Sequence, residues 1–135
     1  MVEVTLLQEF IYRRLNTDQE LMSRAKGIFT HVPENFNFPY IHINNIRVKN
    51  AGSKTHKGAN VTINIAIYDQ QNSYKQLMWI IKSVTKLLEV SQFQDGFLNI
   101  MQLSLSEMEY SQKNDGVTNQ LHAKFMANIY NGDKE

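Results

Sequence analysis

The side chains able to do chemistry in this 135-residue chain are few, and their spacing suits catalysis poorly. The histidines are His31, His42, His56 and His122, and no two form a His-x-His or His-x-x-x-His pair that would aim two ring nitrogens at one metal ion. His42 and His122 approach each other only if their strands are neighbours. Glu107 and Glu109 are two apart, so on a strand they share a face, as paired carboxylates must when they divide acid and base roles. They lie in the polar run from Ser104 to Asp115 beside a turn, where water solvates both, and a solvated strand end is the favoured reading. No serine sits in a Gly-x-Ser-x-Gly elbow, and the Gly52 to Gly58 spacing lacks the Lys-Ser/Thr of a phosphate cradle. The absence of cysteine removes thiolate and disulfide chemistry and fits a reducing compartment. The residues therefore point away from an enzyme, and no catalytic, metal or cofactor site is expected.

Charge offers one local bias. Arg47, Lys49, Lys54, His56 and Lys57 surround a loop at Gly52 to Gly58 with no acid among them. Such a loop can touch phosphate or an acidic partner surface, although a solvated, mobile loop is the plainer reading. The formal net charge of +1 is too balanced for a dedicated nucleic-acid binder. No apolar run approaches the roughly 20 residues that span a bilayer. Glu3, Gln8, Glu9, Arg13 and Arg14 interrupt any signal-like core, so the chain reads as cytosolic at synthesis.

The elements that must position these residues follow from apolar spacing. Val4, Leu7, Phe10, Ile11 and Leu15 recur at helical intervals and predict a helix over about 3–15. Thr17 or Asp18 can cap a short second helix that runs to Ala25, and Gly27 ends it. Residues 28–32 read as briefly extended. Pro39 biases Phe38 away from helical space and opens a strand. Along that strand Ile41 and Ile43 share one parity and Ile46 and Val48 the other, so a bulge near Asn44-Asn45 is needed to keep one face apolar. Val61, Ile63, Ile65 and Ile67 alternate with Thr62, Asn64, Ala66 and Tyr68 in the clearest strand of the chain. Leu77, Met78, Ile80, Ile81, Val84, Leu87 and Leu88 predict the principal core helix. Gln94-Asp95-Gly96 reads as a turn. Two strands follow, over about 97–110 and 117–130, split by the Asn114-Asp115-Gly116 hairpin signal.

The 42% hydrophobic content and 20% charge suit one folded domain over residues 1–135, with 131–135 as a frayed tail. The expected order is helix, strand, strand, helix, strand, strand. The expected fold is an α+β, mostly antiparallel four-stranded sheet with both helices on one face. The opposite face would carry Tyr40, His42, Thr62, Asn64, Tyr68, Gln120, His122, Lys124, Met126 and Tyr130. Aromatic and Met enrichment marks contact surfaces, while tyrosines also favour strands for their own sake. Candidate interface residues are thus Tyr40, Tyr68 and Tyr130 on the sheet, and Gly52, Lys54, His56 and Lys57 on the loop. Two other readings remain open: a small nucleic-acid-binding domain using the basic loop, and a small-molecule-binding α+β domain around His42 and His122.

The succession of Leu7 to Leu15 with Asp18 and Leu21, Val32-Pro33, Phe38-Pro39-Tyr40-Ile41, Lys57-Gly58, Tyr68-Asp69 with Ser73, and Asp115-Gly116 resembles the tail-completion proteins of long-tailed phages and gene transfer agents. That family includes tail terminators and tail-to-head joining proteins. The likeness runs over about residues 5–130. The chain departs from it at Gln112-Lys113-Asn114-Asp115, where family members commonly carry Arg-Asp with further charge. The resemblance implies a structural role with no catalytic residues. Subunits would form a ring, usually a hexamer, at the head-proximal end of the virion tail, after synthesis in the bacterial host cytoplasm. The ring would stop polymerisation of the tail tube protein and offer a surface to the head connector. DNA would pass through without specific binding, and no membrane, cofactor or small-molecule substrate is implied.

Overall fold

A computed structural model describes residues 2–52 and 57–131. The chain opens with helix α1 (Val2–Asn16), whose Leu7, Ile11 and Leu15 lie four apart on one stripe and are fully buried. The single turn α2 (Gln19–Met22) is started by Asp18, whose carboxylate accepts the Leu21 N–H at 2.9 Å. Strands β1 (Ile28–Phe29), β2 (Tyr40–Asn50) and β3 (Gly58–Asp69) follow. Helix α3 (Lys75–Leu88) precedes β4 (Val90–Asp95), β5 (Leu98–Gln112) and β6 (Asn119–Asn131). Among the described residues, no helix is long and apolar enough to cross a membrane.

The six strands form one mixed sheet in the order β1-β2-β3-β6-β5-β4, which curls into a half-barrel. This corrects the expected four-stranded sheet. The short extended segment at Ile28–Phe29 is a strand, and it lies parallel to β2 through Ile28 opposite Ile41. The turn at Gln94-Asp95-Gly96 is the end of a further hairpin, in which Val90–Asp95 returns along Leu98–Leu103. Neither strand shows the alternation that marks a half-buried strand. One has two residues. The other holds its apolar residues Val90 and Phe93 three apart, and Gln92 interrupts it with a φ of 54°.

Both longer helices cover one face of the sheet. Leu77, Ile80, Ile81, Val84 and Leu88 of α3 join the α1 stripe over Val61, Ile63, Ile65 and Ile67 of β3 and Leu121, Ala123, Phe125, Ala127 and Ile129 of β6. Burial of each of these Leu, Ile and Val side chains stabilises the fold by about 1.5–3 kcal/mol. The bulge foreseen in β2 is present between Ile43 and Asn45, and it keeps Ile46 opposite Ile63 and Val48 opposite Val61 on the helix side. Strand β5 carries two such shifts, between Ile100 and Gln102 and between Leu105 and Glu107.

The hairpin between β5 and β6 is closed by Asp115. Its carboxylate accepts the Val117 and Thr118 N–H groups and the Thr118 hydroxyl, while Gly116 takes a φ of 76°. The Thr118 hydroxyl first, then the Thr118 and Val117 amides, hold the Asp115 carboxyl below its ordinary pKa.

Candidate interface

The face of the sheet away from the helices carries the candidate residues, and the structure divides them between its two ends. At one end, Tyr40 begins β2 directly after Pro39 and pairs with Tyr68 near the end of β3, so the two rings pack at a tilt of 35° with centroids 5.2 Å apart. Phe38 packs on Tyr40 at 5.4 Å. The parallel β1 brings in Phe29, which meets Phe36 edge-on at 4.5 Å, and both rings stand 6.2 Å from Tyr40. Gly27 is buried beneath this cluster, and a Cβ there would stand 2.5 Å from the Phe29 ring. On the far side of Tyr68, His122 presents its edge at 6.3 Å and the Lys113 ammonium sits 5.1 Å from the Tyr68 centroid.

Burial raises the pKa of both tyrosines, and Tyr40 beside it raises that of Tyr68 further. The cluster therefore presents neutral hydroxyls on an apolar base. Sequence reasoning had Tyr40 and Tyr68 but not Phe29, Phe36 or Lys113. Only the parallel pairing of β1 and the closure of the last hairpin bring those three into range.

Tyr130 stands at the opposite end. It pairs with Gly58 at the start of β3 and with Asn99 of β5. Together with Gly52, Lys57 and Met101 it lines an open groove of about 790 Å³. The Gly52 N–H donates to the Asn50 side-chain oxygen at 3.0 Å, which begins the turn out of β2. A Cβ on Gly58 would lie 3.0 Å from the Ile129 carbonyl oxygen, a close approach of two backbones. Lys57 is exposed. Lys54 and His56 lie outside the described residues.

The residues once weighed for chemistry are spread out. His42 and His122 both pair with Ala66 from opposite sides, so two strand spacings, about 10 Å, separate them. His42 Nε2 lies 3.1 Å from the Thr30 carbonyl oxygen. Among the described residues, no three His, Cys, Asp or Glu side chains gather to hold a metal ion. Glu107 and Glu109 are exposed, and Glu107 pairs with Lys124 at 3.4 Å. A second open groove, about 720 Å³, runs between α1 and β1 past Tyr12, Arg13 and His31.

This arrangement is a broad surface with rings at one end and a loop at the other. The family model described as tail completion protein gp17 matches residues 9–130. A chain of the structure titled "Virion of native gene transfer agent (GTA) particle" superimposes with a TM-score of 0.78 at 16% identity, covering 89% of this chain and 91% of that one. At that identity the likeness speaks to the fold. No curated protein matches.

Proposed function

The chain belongs to the tail completion protein gp17 family, and from that premise we propose that it caps the phage tail tube and joins it to the head. The family makes it a phage tail structural protein. The finer reading is a ring of copies at the head-proximal end of the tail, one side seated on the last layer of tube protein and the other offered to the head connector. Such a part acts by shape and adhesion, with no reaction to catalyse, and its central opening passes DNA without reading it.

The observation that carries this reading is the family match over 9–130, nearly the whole chain. The surface is consistent with it. A ring of identical copies needs two different patches on each subunit that fit one another. The bare sheet face offers an aromatic end and a loop end, and the exposed Met126 and Tyr130 lie along it. The test is assembly with the gene deleted. Without the protein, tubes are expected to vary in length and to remain unattached to filled heads in electron micrographs. Tubes of normal, uniform length joined to heads would overturn the proposal.

A further inference from the structure

Both outer edges of the sheet are only partly covered, and their uncovered parts fit each other. Strand β1 pairs with β2 only at Ile41 and His42, which leaves the edge open over 43–50 among the described residues. Strand β4 pairs with β5 only as far as Leu103 and the Glu89 carboxylate accepts the Leu105 N–H, which leaves that edge open over 106–112 among the described residues. Unpaired strand edges of this length are templates for another strand.

Their chemistry is complementary on both faces. On β2, Ile46 and Val48 face the helix side, while Arg47 and Lys49 face the bare side opposite Thr62 and Asn60. On β5, Met108 and Tyr110 face the helix side opposite Ala123 and Leu121, while Glu107 and Glu109 face the bare side opposite Lys124 and His122. Val48, Met108 and Tyr110 are 41%, 40% and 46% exposed, high for apolar side chains on the core-facing side of a sheet. Tyr110 packs on Tyr74, with ring centroids 4.5 Å apart.

The backbone agrees. Ala51 donates inward to the Gly58 carbonyl, so by strand alternation Ile46 and Val48 turn their N–H and C=O groups outward. Lys113 donates inward to the Thr118 carbonyl, so Met108 and Tyr110 likewise turn theirs outward. Strands β2 and β5 run in opposite directions within the sheet, because three antiparallel pairings separate them. A second copy rotated about an axis along the strands therefore meets the first as an antiparallel pair.

We propose that β2 of one copy adds to β5 of the next, with Met108 opposite Val48, Tyr110 opposite Ile46, Glu107 opposite Lys49 and Glu109 opposite Arg47. A slip of two residues either way keeps only one of the two ion pairs. In this register β1 and β4 each fall beyond the end of the strand being added, so neither obstructs the joint. The contact is heterologous, which is the kind that closes a ring. The inference rests on the ring reading above and specifies the joint within it.

Cysteine scanning tests it, because the chain has no cysteine of its own. Residues 49 and 107 would form a non-hydrogen-bonded pair with Cβ atoms about 4.5–5.5 Å apart, close enough for a disulfide after slight adjustment. An equimolar mixture of Lys49→Cys and Glu107→Cys proteins should oxidise to a disulfide-linked dimer. The double variant should give a ladder of linked multimers, and Lys49→Cys with Lys124→Cys should give neither. In a second arm, Glu107→Lys with Glu109→Lys should abolish assembly measured by sedimentation velocity. Adding Arg47→Glu and Lys49→Glu to the same chain should restore it, with circular dichroism confirming the fold of each variant. Rings in micrographs without the 49–107 link, and indifferent to all four charge changes, would overturn this joint and leave the ring standing. Wild-type protein that never assembles, free or on tail tubes, would overturn both.

Discussion

The two ends of the bare sheet face are built differently. At the end where β2 begins, seven side chains from β1, β2, β3, β6 and two connecting loops (Phe29, Phe36, Phe38, Tyr40, Tyr68, His122 and Lys113) lean on one another. At the end where β3 begins, Tyr130 stands 40% exposed above an open groove beside Gly52 and Lys57. Both ends looked alike in sequence, as tyrosine on a strand near a loop. The contrast teaches that surface aromatics divide into those that hold the fold together and those left free to meet something else. Ring packing by neighbouring segments, more than exposure alone, tells them apart.

The largest expected effect is at the packed end. Tyr68→Ala should lower unfolding free energy by about 2 kcal/mol, since it strips ring packing from Tyr40 and the cation from above its own ring. Chemical denaturation measures this, and a loss no larger than that of Tyr130→Ala would erase the distinction. Gly27→Ala should cost about 1–2 kcal/mol, because the Phe29 ring must move to admit the methyl group.

The hairpin beside this end gives a pH signature. Asp115 has a lowered pKa when folded, so its contribution is complete above its ordinary value of 3.8 and is lost as pH falls through the lowered value. Asp115→Asn should therefore be less stable than the parent at pH 7, with the gap narrowing in acid. A gap independent of pH would show that hydrogen bonding alone matters there.

Tyrosine titration sharpens the comparison further. Tyr40 and Tyr68 have raised values, so whatever stability they lend is intact below pH 10 and fades as pH climbs through the raised ones. Ultraviolet titration should show a late-ionising fraction that Tyr40→Phe and Tyr68→Phe remove. The smallest effect is expected at the open end. Tyr130→Ala should change stability by less than about 0.5 kcal/mol, yet weaken seating on tail tubes in a co-sedimentation assay.

Sequence alone exposed much of this scaffold where patterns were local. The strict alternation from Val61 to Tyr68 marked β3, and the switch of apolar parity between Ile43 and Ile46 located a bulge. The helices over 2–16 and 75–88 followed from their stripes. Strand β4 escaped because Val90 and Phe93 are three apart, and β1 was legible as extended but not as a sheet strand because two residues cannot show a period. Without those two strands, neither the strand order nor the partly open edges could be foreseen. The candidate site suffered the same limit. Tyr40 and Tyr68 come together through the β2–β3 register, whereas Tyr130, on β6, pairs with Gly58 ten positions along β3 from Tyr68, a separation that depends on pairing rather than composition.

The extra residue at Asn44 has a further consequence, for changes in chain length. Before it, odd-numbered positions of β2 meet the helices, and after it even-numbered positions do. Removing Asn44 would let Asn45 follow Ile43 in unbroken alternation, so Ile46 and Val48 would still face the helices, whereas removing Arg47 would turn Val48 outward and Lys49 inward. Swapping Asn44 for another polar residue leaves that phase untouched. This stretch of the gene should thus accept a three-base deletion at codon 44 far more readily than one at codon 47.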